Sequence, residues 1–558
     1  MKEILSRLLE NTLHNCFLKG ELIKGPIPEF VIEIPNNPDH GHFATNLPMN
    51  LASSQKRNPR EIADIIVRNI EDGEGLMSDI TIAGPGFINF IIRKDIWLDL
   101  LNTIVDMGDR YGSNNPNSNE KILFEFVSAN PTGPLHLGHG RGAALGDTIC
   151  RILTFRGYEV VREFYVNDAG IQVRLLGESI FSRWKQKSDP GYPFPENGYH
   201  GDYIVELANQ ISSEKDITGM EMEEAVLLCA EMGKNRMLKE IKRDLEQFRV
   251  SFDIWFNETD LYTSGRIEKS LEKIKEKGKI YEKDGAIWIE TTAFGDDKDR
   301  VIKKQNGQFT YFSSDISYHL NKWERGFTRA VNIWGADHHG YVQRVKAAIM
   351  ANDIEESWLS VLLVQLVKLW ESGQEIKMSK RSGQYVTVRE LIEEVGVDAV
   401  RFVFLTKSHD SQLDFDIDRV KRHDSENPVY YVQYAHARVC SIFRKAGLEN
   451  ISLPEEPARI LHRLEMDEEI QLIRYMSEFP SLLEDICKTY EAHRLTYFLT
   501  ELAAMFHRYF NLGNKNPEYR IITEDRTLCQ ARLCLAEATR TVINNGLKLL
   551  GIDSPDRM

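Results

Sequence analysis

A chain of 558 residues is longer than one hydrophobic core supports, so about three domains are expected. With 42% apolar and 27% charged residues it has the composition of a soluble globular protein, and a net charge of −15 leaves a local basic face for nucleic acid neither supported nor excluded. The seven cysteines are scattered and form no CxxC pair, which argues against a disulfide framework and against structural zinc, and favours reduced thiols.

In chain order, Ile4, Leu5, Leu8, Leu9 and Leu13 fall at helical spacing among charges, an amphipathic helix and not a secretory segment. Residues 1–112 read as a small α+β unit, with strand signals in Phe30–Ile34 and in Ile80–Ile92. Between them, Pro35–Asn46 reads as a polar loop leading into a helix from about Leu47. Its His40 and His42 lack a third ligand nearby and are expected to be ordinary polar residues. Asn114–Asn119 is turn-rich and reads as a linker.

Ile122–Val127 is apolar except for Glu125 and suits a strand buried in a parallel sheet. Pro131, Gly133 and Pro134 stop it, and from about Leu135 small residues (Gly138, Gly140, Gly142, Ala143, Ala144, Gly146) open a helix. The start of a helix offers unpaired N–H groups and a positive dipole end to an anion. His136 and His139, three apart on one face, can donate to phosphate oxygens. Taken alone, the stretch is equally compatible with glycines that merely allow close packing.

Val160–Val166 is the next strand, ending at Asn167–Gly170, and residues 177–300 then interrupt the alternation with charged helical segments. Tyr311 and Asp315 are four apart and share a helix face. Val331–Gly335 runs into Asp337-His338-His339, with Gln343 a turn further on; neighbouring residues point apart, so a metal site is disfavoured. Val361–Val367 leads through Ser372-Gly373 into Lys377-Met378-Ser379-Lys380-Arg381-Ser382-Gly383, and Gly396–Phe402 begins the exit. Strands alternating with helices to about Asp424 predict a doubly wound parallel sheet. From Ser425 to Met558 the spacing is helical throughout, predicting an all-α bundle. The most apolar segment, Trp358–Trp370, is too short to cross a bilayer, and a cytoplasmic protein without membrane contact is expected.

His136-Leu-Gly-His139 and Lys377-Met-Ser-Lys380 together resemble the two nucleotide-binding motifs of class I aminoacyl-tRNA synthetases. Glu125-Phe-Val-Ser-Ala-Asn130-Pro, Tyr311-Phe-Ser-Ser-Asp315 and the terminal Ser554-Pro-Asp-Arg-Met558 narrow the resemblance to the arginyl-tRNA synthetase family, over essentially the whole chain. It implies an α/β fold: a Rossmann-like catalytic domain at 113–424 with an insertion at about 177–300, an α+β domain at 1–112 touching the tRNA elbow, and a helical anticodon-binding domain at 425–558. The activity implied is ATP-dependent ligation of L-arginine to tRNA(Arg), with Mg²⁺ on the ATP, by a monomer. Alternatives are a silent tRNA-binding protein of the same fold, or another class I synthetase such as the cysteinyl enzyme, which the missing zinc-type cysteines disfavour.

The resemblance also implies residue roles. ATP would meet His136, Gly138, His139, Met378, Ser379 and Lys380, with the two histidines and Lys380 supplying charge in catalysis and Lys377 a weaker candidate. Arginine would meet Asp315 and Tyr311 at its guanidinium, Asn130 and Gln343 at its backbone end, and Glu125 and Asp337 as further polar liners. Carboxylates suit that ligand because a guanidinium offers five donors in a fixed fork. For tRNA, Phe87 and Asn89 would face the D-loop, and Tyr431 and Met558 the anticodon loop; Tyr434 and Phe506 are expected in the core. Where many family members carry a lysine three residues before the first histidine this chain has Gly133, and it retains Lys380, so the loop is expected to supply the charge.

Overall fold

Ile122, Leu123 and Phe124 have no solvent exposure, as expected of a strand covered on both faces in the middle of a parallel sheet. In the computed structural model, which describes residues 1–35, 37, 40–73, 75–114, 120–376 and 386–558, they lie on β1 (Lys121–Glu125). β2 (Glu159–Val166), β3 (Ile254–Asn257), β4 (Arg329–Gly335) and β5 (Leu359–Val364) complete a five-stranded sheet in the order β5-β4-β1-β2-β3, every pairing parallel. The chain first builds outward from β1 through β2 to β3 and then returns to its other side. That makes the gap between β1 and β4 the topological switch point, where such sheets bind ligands at the carboxyl ends of their strands.

Three elements differ from the sequence reading. β1 ends at Glu125, because Val127 (φ 68°) and Ser128 (φ 38°) take left-handed backbone, costly for a β-branched valine. β3 falls inside the stretch assigned to an insertion, so residues 177–300 do not form one continuous insertion: Ile254–Asn257 belongs to the main sheet. The single strand expected at Val361–Val367 is two. β5 stops at Val364, and Val367–Glu371 joins a separate three-stranded sheet with Gln374–Ile376 and Leu413–Asp416. Ser372 (φ 51°) and Gly373 (φ 74°) make the tight hairpin turn between the first two.

Three helices position the site: α1 (Leu137–Phe155), α2 (Tyr311–Glu324) and α3 (His339–Met350). The glycines of α1 do serve close packing. A Cβ at Gly146 would stand 2.4 Å from the Phe126 ring, and one at Gly140 2.7 Å from Val388 Cγ2.

The N-terminal unit is an antiparallel four-stranded sheet with helices Lys2–Leu18, Leu47–Gln55, Pro59–Asn69 and Lys94–Met107. Phe43–Thr45, read as loop, is one of its strands, pinned by its pairing with the hairpin strand Phe87–Ile92. His42 is a structural group: its Nδ1 accepts the Ile92 N–H at 2.9 Å, and burial pushes its imidazole down to about 4. From Pro428 to Leu550 the regular structure is helical, as expected. This bundle packs on the N-terminal unit, with the Tyr111 hydroxyl donating to the Met476 carbonyl at 3.1 Å and Arg474 lying over Trp97. Among the described residues no helix is long and apolar enough to cross a membrane, and the seven cysteines are free and buried.

Candidate active site

His136 is the N-cap of α1 and not part of its first turn. Its Nδ1 accepts the N–H groups of Gly138 (3.1 Å) and His139 (3.4 Å), while His139 Nδ1 accepts the His136 N–H at 3.4 Å. This is a capping box built from two imidazoles in place of the usual hydroxyl and carboxylate. The rings stack with centroids 3.7 Å apart. Because each Nδ1 is an acceptor, the neutral rings carry their protons on Nε2. The two Nε2–H groups are then donors at the positive end of a 19-residue helix.

Lys377, Met378, Ser379 and Lys380 lie outside the described residues, and the described chain resumes after them beside this cap. Before them lies the Gln374–Ile376 strand, and after them Thr387 bridges His136, with the Val388 N–H donating to the Leu135 carbonyl at 2.9 Å. Arg141 of α1 braces the same region, its buried guanidinium donating to the carbonyls of Gln365, Ser408 and Ser411 at 2.8–2.9 Å.

Beyond the ends of β1, β2 and β3 lies an acidic, aromatic cluster. Asp315 sits in the second turn of α2, whose N-cap is Thr310, so it has no capping role. Its Oδ2 accepts the Tyr341 hydroxyl from α3. Burial, with the charges of Glu258 and Glu125, pushes its carboxyl up to about 7 despite that bond. Glu258, just past β3 and 3% exposed, lies beside Ser314 and Tyr165, and burial raises its carboxyl as well. Tyr165 and Phe256 pack on Tyr318 at 4.5 and 4.9 Å. Carboxylates raised in this way, inside an aromatic wall, are ready to accept a desolvated cation.

Glu125 ends β1, opposite Asn332 on β4 and Glu163 on β2. Both its oxygens are engaged, one by Lys322 Nζ at 2.6 Å and the other by Ser128 Oγ at 3.0 Å. Asn130 donates to Gln172 at 2.6 Å at the mouth of the same strand end. Tyr311 shares the α2 face with Asp315 but is 60% exposed, its hydroxyl over Gly170. Gln343 is exposed and donates weakly to the Phe294 carbonyl at 3.5 Å, and Asp337 is exposed beside His338. Sequence reasoning missed Glu258, Tyr341 and Lys322. A lone carboxylate closing the apolar run Ile254–Asn257 was the available signal for Glu258; Tyr341 and Lys322 acquire their roles only from the crossing of α2 and α3.

Of the residues assigned to tRNA, Phe87 is partly exposed and Asn89 is buried on the same strand. Tyr431 packs on His507 at 4.7 Å and Met558 is 48% exposed. Phe506 is core, but Tyr434 is not: with Met558, Phe510 and Tyr519 it lines a groove of about 650 Å³ edged by Arg438, Arg444, Lys445, Arg520 and Arg557. The tail reaches this groove because the helix Pro428–Leu448 pins it. Gln433 donates to the Asp553 carbonyl, His436 Nδ1 to the Pro555 carbonyl, and Cys440 Sγ to Asp556 at 2.9, 3.1 and 3.3 Å. His436, Cys440 and Asp556 bring three ligand-type atoms within 4.8 Å of one another, and these hydrogen bonds account for all three without a metal.

Three family models match: the arginyl tRNA synthetase N terminal domain over residues 3–92, the catalytic domain of tRNA synthetases class I (R) over 101–440, and the DALR anticodon binding domain over 432–558. Among curated proteins, the arginine–tRNA ligase of Desulfosudis oleivorans is 46% identical and that of Syntrophotalea carbinolica 44%, each over the full length of both chains. Among solved structures, a putative arginyl-tRNA synthetase from Campylobacter jejuni has a TM-score of 0.75 at 34% identity, covering 84% of this chain and 100% of its own. The Thermus thermophilus arginyl-tRNA synthetase covers both chains fully with a TM-score of 0.79 at 20% identity, a likeness of fold. A sheet with its switch point between β1 and β4, an imidazole-capped α1 and these full-length matches have one common explanation: the chain belongs to the arginyl-tRNA synthetase family of class I.

Proposed function

We propose that this protein joins L-arginine to tRNA(Arg) in two steps. The arginine carboxylate attacks the α-phosphorus of ATP, forming arginyl-adenylate and releasing pyrophosphate. The terminal ribose hydroxyl of the tRNA then attacks the arginyl carbonyl, giving arginyl-tRNA and AMP. No protein nucleophile is required, so the rate comes from positioning and from stabilising charge on the phosphates. Mg²⁺ arrives on the ATP as part of that substrate.

The observation that carries the reading is the pairing of two opposite surfaces at one sheet edge. The positive end of α1, with the imidazoles of His136 and His139 at its cap, suits polyphosphate. The pocket of Asp315, Glu258 and Tyr341 suits a guanidinium. Lys380, and to a lesser degree Lys377, would add charge from the loop with Met378 and Ser379, while Asn130, Glu125 and Gln343 would hold the amino-acid backbone end. Asp337, exposed beside His338, is a peripheral liner. Phe87, with Asn89 behind it, would meet the tRNA elbow. The basic, aromatic groove at Met558, with Tyr431 nearby, suits splayed anticodon bases, which stack on aromatic rings between phosphate-binding arginines. On this reading the enzyme works as a cytoplasmic monomer without structural zinc, in three domains at 1–112, 113–424 and 425–558.

Pyrophosphate exchange with each amino acid in turn, with and without tRNA, tests the assignment. Among the amino acids only arginine should support exchange, and only with tRNA bound; exchange with another amino acid would redirect the assignment, and exchange with none would favour a silent tRNA-binding protein.

A further inference from the structure

The pocket wall holds a lysine that no part of the reaction has yet used. Lys322 is fully buried on α2, two turns beyond Asp315 on the same helix face. Its Nζ lies 2.6 Å from Glu125 Oε2, 2.9 Å from Asn332 Oδ1 and 4.2 Å from the centroid of the Tyr318 ring.

The hydrogen bonds around it run in one direction only. His319 Nδ1 lies 2.7 Å from the Asp315 carbonyl, so it must donate, and His319 Nε2 must therefore accept from Asn332 Nδ2 at 2.9 Å. The Asn332 oxygen is left to accept from Lys322. Burial and Lys322 push the His319 imidazole down to about 3, so the ring stays neutral and the chain keeps this direction. Lys322 is thus fixed from behind and aimed at the end of β1.

Its target is one of several carboxylates crowded at these strand ends. Glu163 is already neutralised by Arg325, at 2.5 and 3.0 Å, and by the Tyr318 hydroxyl at 2.6 Å. Asp315 and Glu258 carry raised carboxyls. Without a cation of its own, buried Glu125 would be an unpaired charge among them.

We propose that Lys322 is a positioning residue for arginine activation: it pairs with Glu125 and orients it at the end of β1, leaving Asp315 and Glu258 for the guanidinium. This rests on the assignment of the pocket to arginine. Lys322 touches no substrate atom and acts through Glu125 alone. The α-ammonium of arginine is the group of opposite charge that an ionised carboxylate at that strand end would serve.

The test is a cycle of four full-length proteins: wild type, Glu125→Gln, Lys322→Met and the double variant. Each is measured in aminoacylation for KM of arginine, KM of ATP, and the pH dependence of kcat/KM for arginine. Lys322→Met should raise the arginine KM at least about tenfold, since a buried carboxylate stripped of its partner is costly to keep charged. The ATP KM should stay within about twofold, and the arginine profile should gain a second rising limb besides the one that Asp315 gives wild type. The double variant should match Glu125→Gln and show no such limb. A wild-type arginine KM and profile for Lys322→Met would overturn the proposal, as would recovery towards wild type in the double variant, the mark of a purely structural pair. If Lys322→Met does not fold, the double variant decides: equality with Glu125→Gln supports action through Glu125, and any further rise in arginine KM refutes it. A wild-type arginine KM for Glu125→Gln would instead defeat the pocket assignment on which the proposal stands.

Discussion

The Tyr341 hydroxyl donates a hydrogen bond to Asp315 Oδ2 across the gap between α3 and α2. It partly offsets the burial and the acidic neighbours, Glu258 and Glu125, that hold the carboxyl at about 7. A guanidinium stays cationic at any working pH, so binding favours the carboxylate. Below about 7 the free enzyme is protonated there, and kcat/KM for arginine should fall as pH is lowered through that value. Tyr341→Phe removes the offset and should move the acidic limb up by roughly one pH unit. Profiles of kcat/KM for arginine in the two proteins check it, and superimposable acidic limbs would show that this bond does not tune Asp315.

The same carboxyl weakens the substrate-free protein as pH rises. An unfolded aspartate titrates near 3.9 and the folded one at about 7, so the folded state binds this proton more tightly. The stability this confers is present below the unfolded value and is lost as pH rises through the folded one. Asp315→Asn removes the buried charge and should raise the melting temperature at pH 8 by a few degrees, while shrinking the further rise that arginine gives wild type. Calorimetry with and without arginine measures both, and an unstabilised variant with an undiminished arginine shift would count against the pocket.

His136 has two jobs that substitutions can separate. As N-cap it accepts two backbone N–H groups through Nδ1, and on the proposed reading its ring also serves the ATP phosphates. His136→Ala should cost about 1 kcal/mol of stability, the usual worth of a cap, and roughly 10²–10³ in adenylate formation if the imidazole contacts the transition state. His136→Asn keeps a capping acceptor, so it should regain stability without regaining rate. Parallel recovery of both would reduce the residue to a cap.

For the loop, Lys380→Ala should slow adenylate formation by roughly 10²–10³ while leaving tRNA affinity nearly unchanged, and Lys377→Ala should cost less. Single-turnover adenylate formation and tRNA binding are the measurements. Equal, mild losses at both positions would place the charge elsewhere.

What was legible in the sequence was what local pattern controls. Apolar runs punctuated by glycine and proline marked β1, β2 and β4, and helical spacing marked the bundle after Pro428. Tyr311 and Asp315 were picked out by resemblance to a family motif, and their four-residue spacing put them on one helix face. Phe43–Thr45 was missed because three residues inside a polar stretch become a strand only when Phe87–Ile92 pairs with them. β3 was missed for the same reason: four residues among long charged helices join the sheet through β2. The imidazole capping box is local but replaces the usual hydroxyl and carboxylate, so no standard cap pattern marks it. The lysine behind Glu125 is a tertiary fact: residues far apart in the chain make it, and no window of sequence holds them together.

The account turns on Asp315, and its replacement by asparagine measures the claim most directly. A neutral amide forfeits the charge-assisted bonds to the guanidinium and turns donors towards donors. Loss of one partner from a desolvated pair costs about 2–5 kcal/mol, so kcat/KM for arginine should fall very roughly 30- to several-thousand-fold. Citrulline, which carries a carbonyl in place of one amino group, should lose far less, or gain. Aminoacylation of tRNA(Arg) by wild type and Asp315→Asn with the two amino acids gives the ratio of ratios. A large shift towards citrulline is the predicted result; near-normal use of arginine with unchanged discrimination would contradict the account and remove Asp315 from the site.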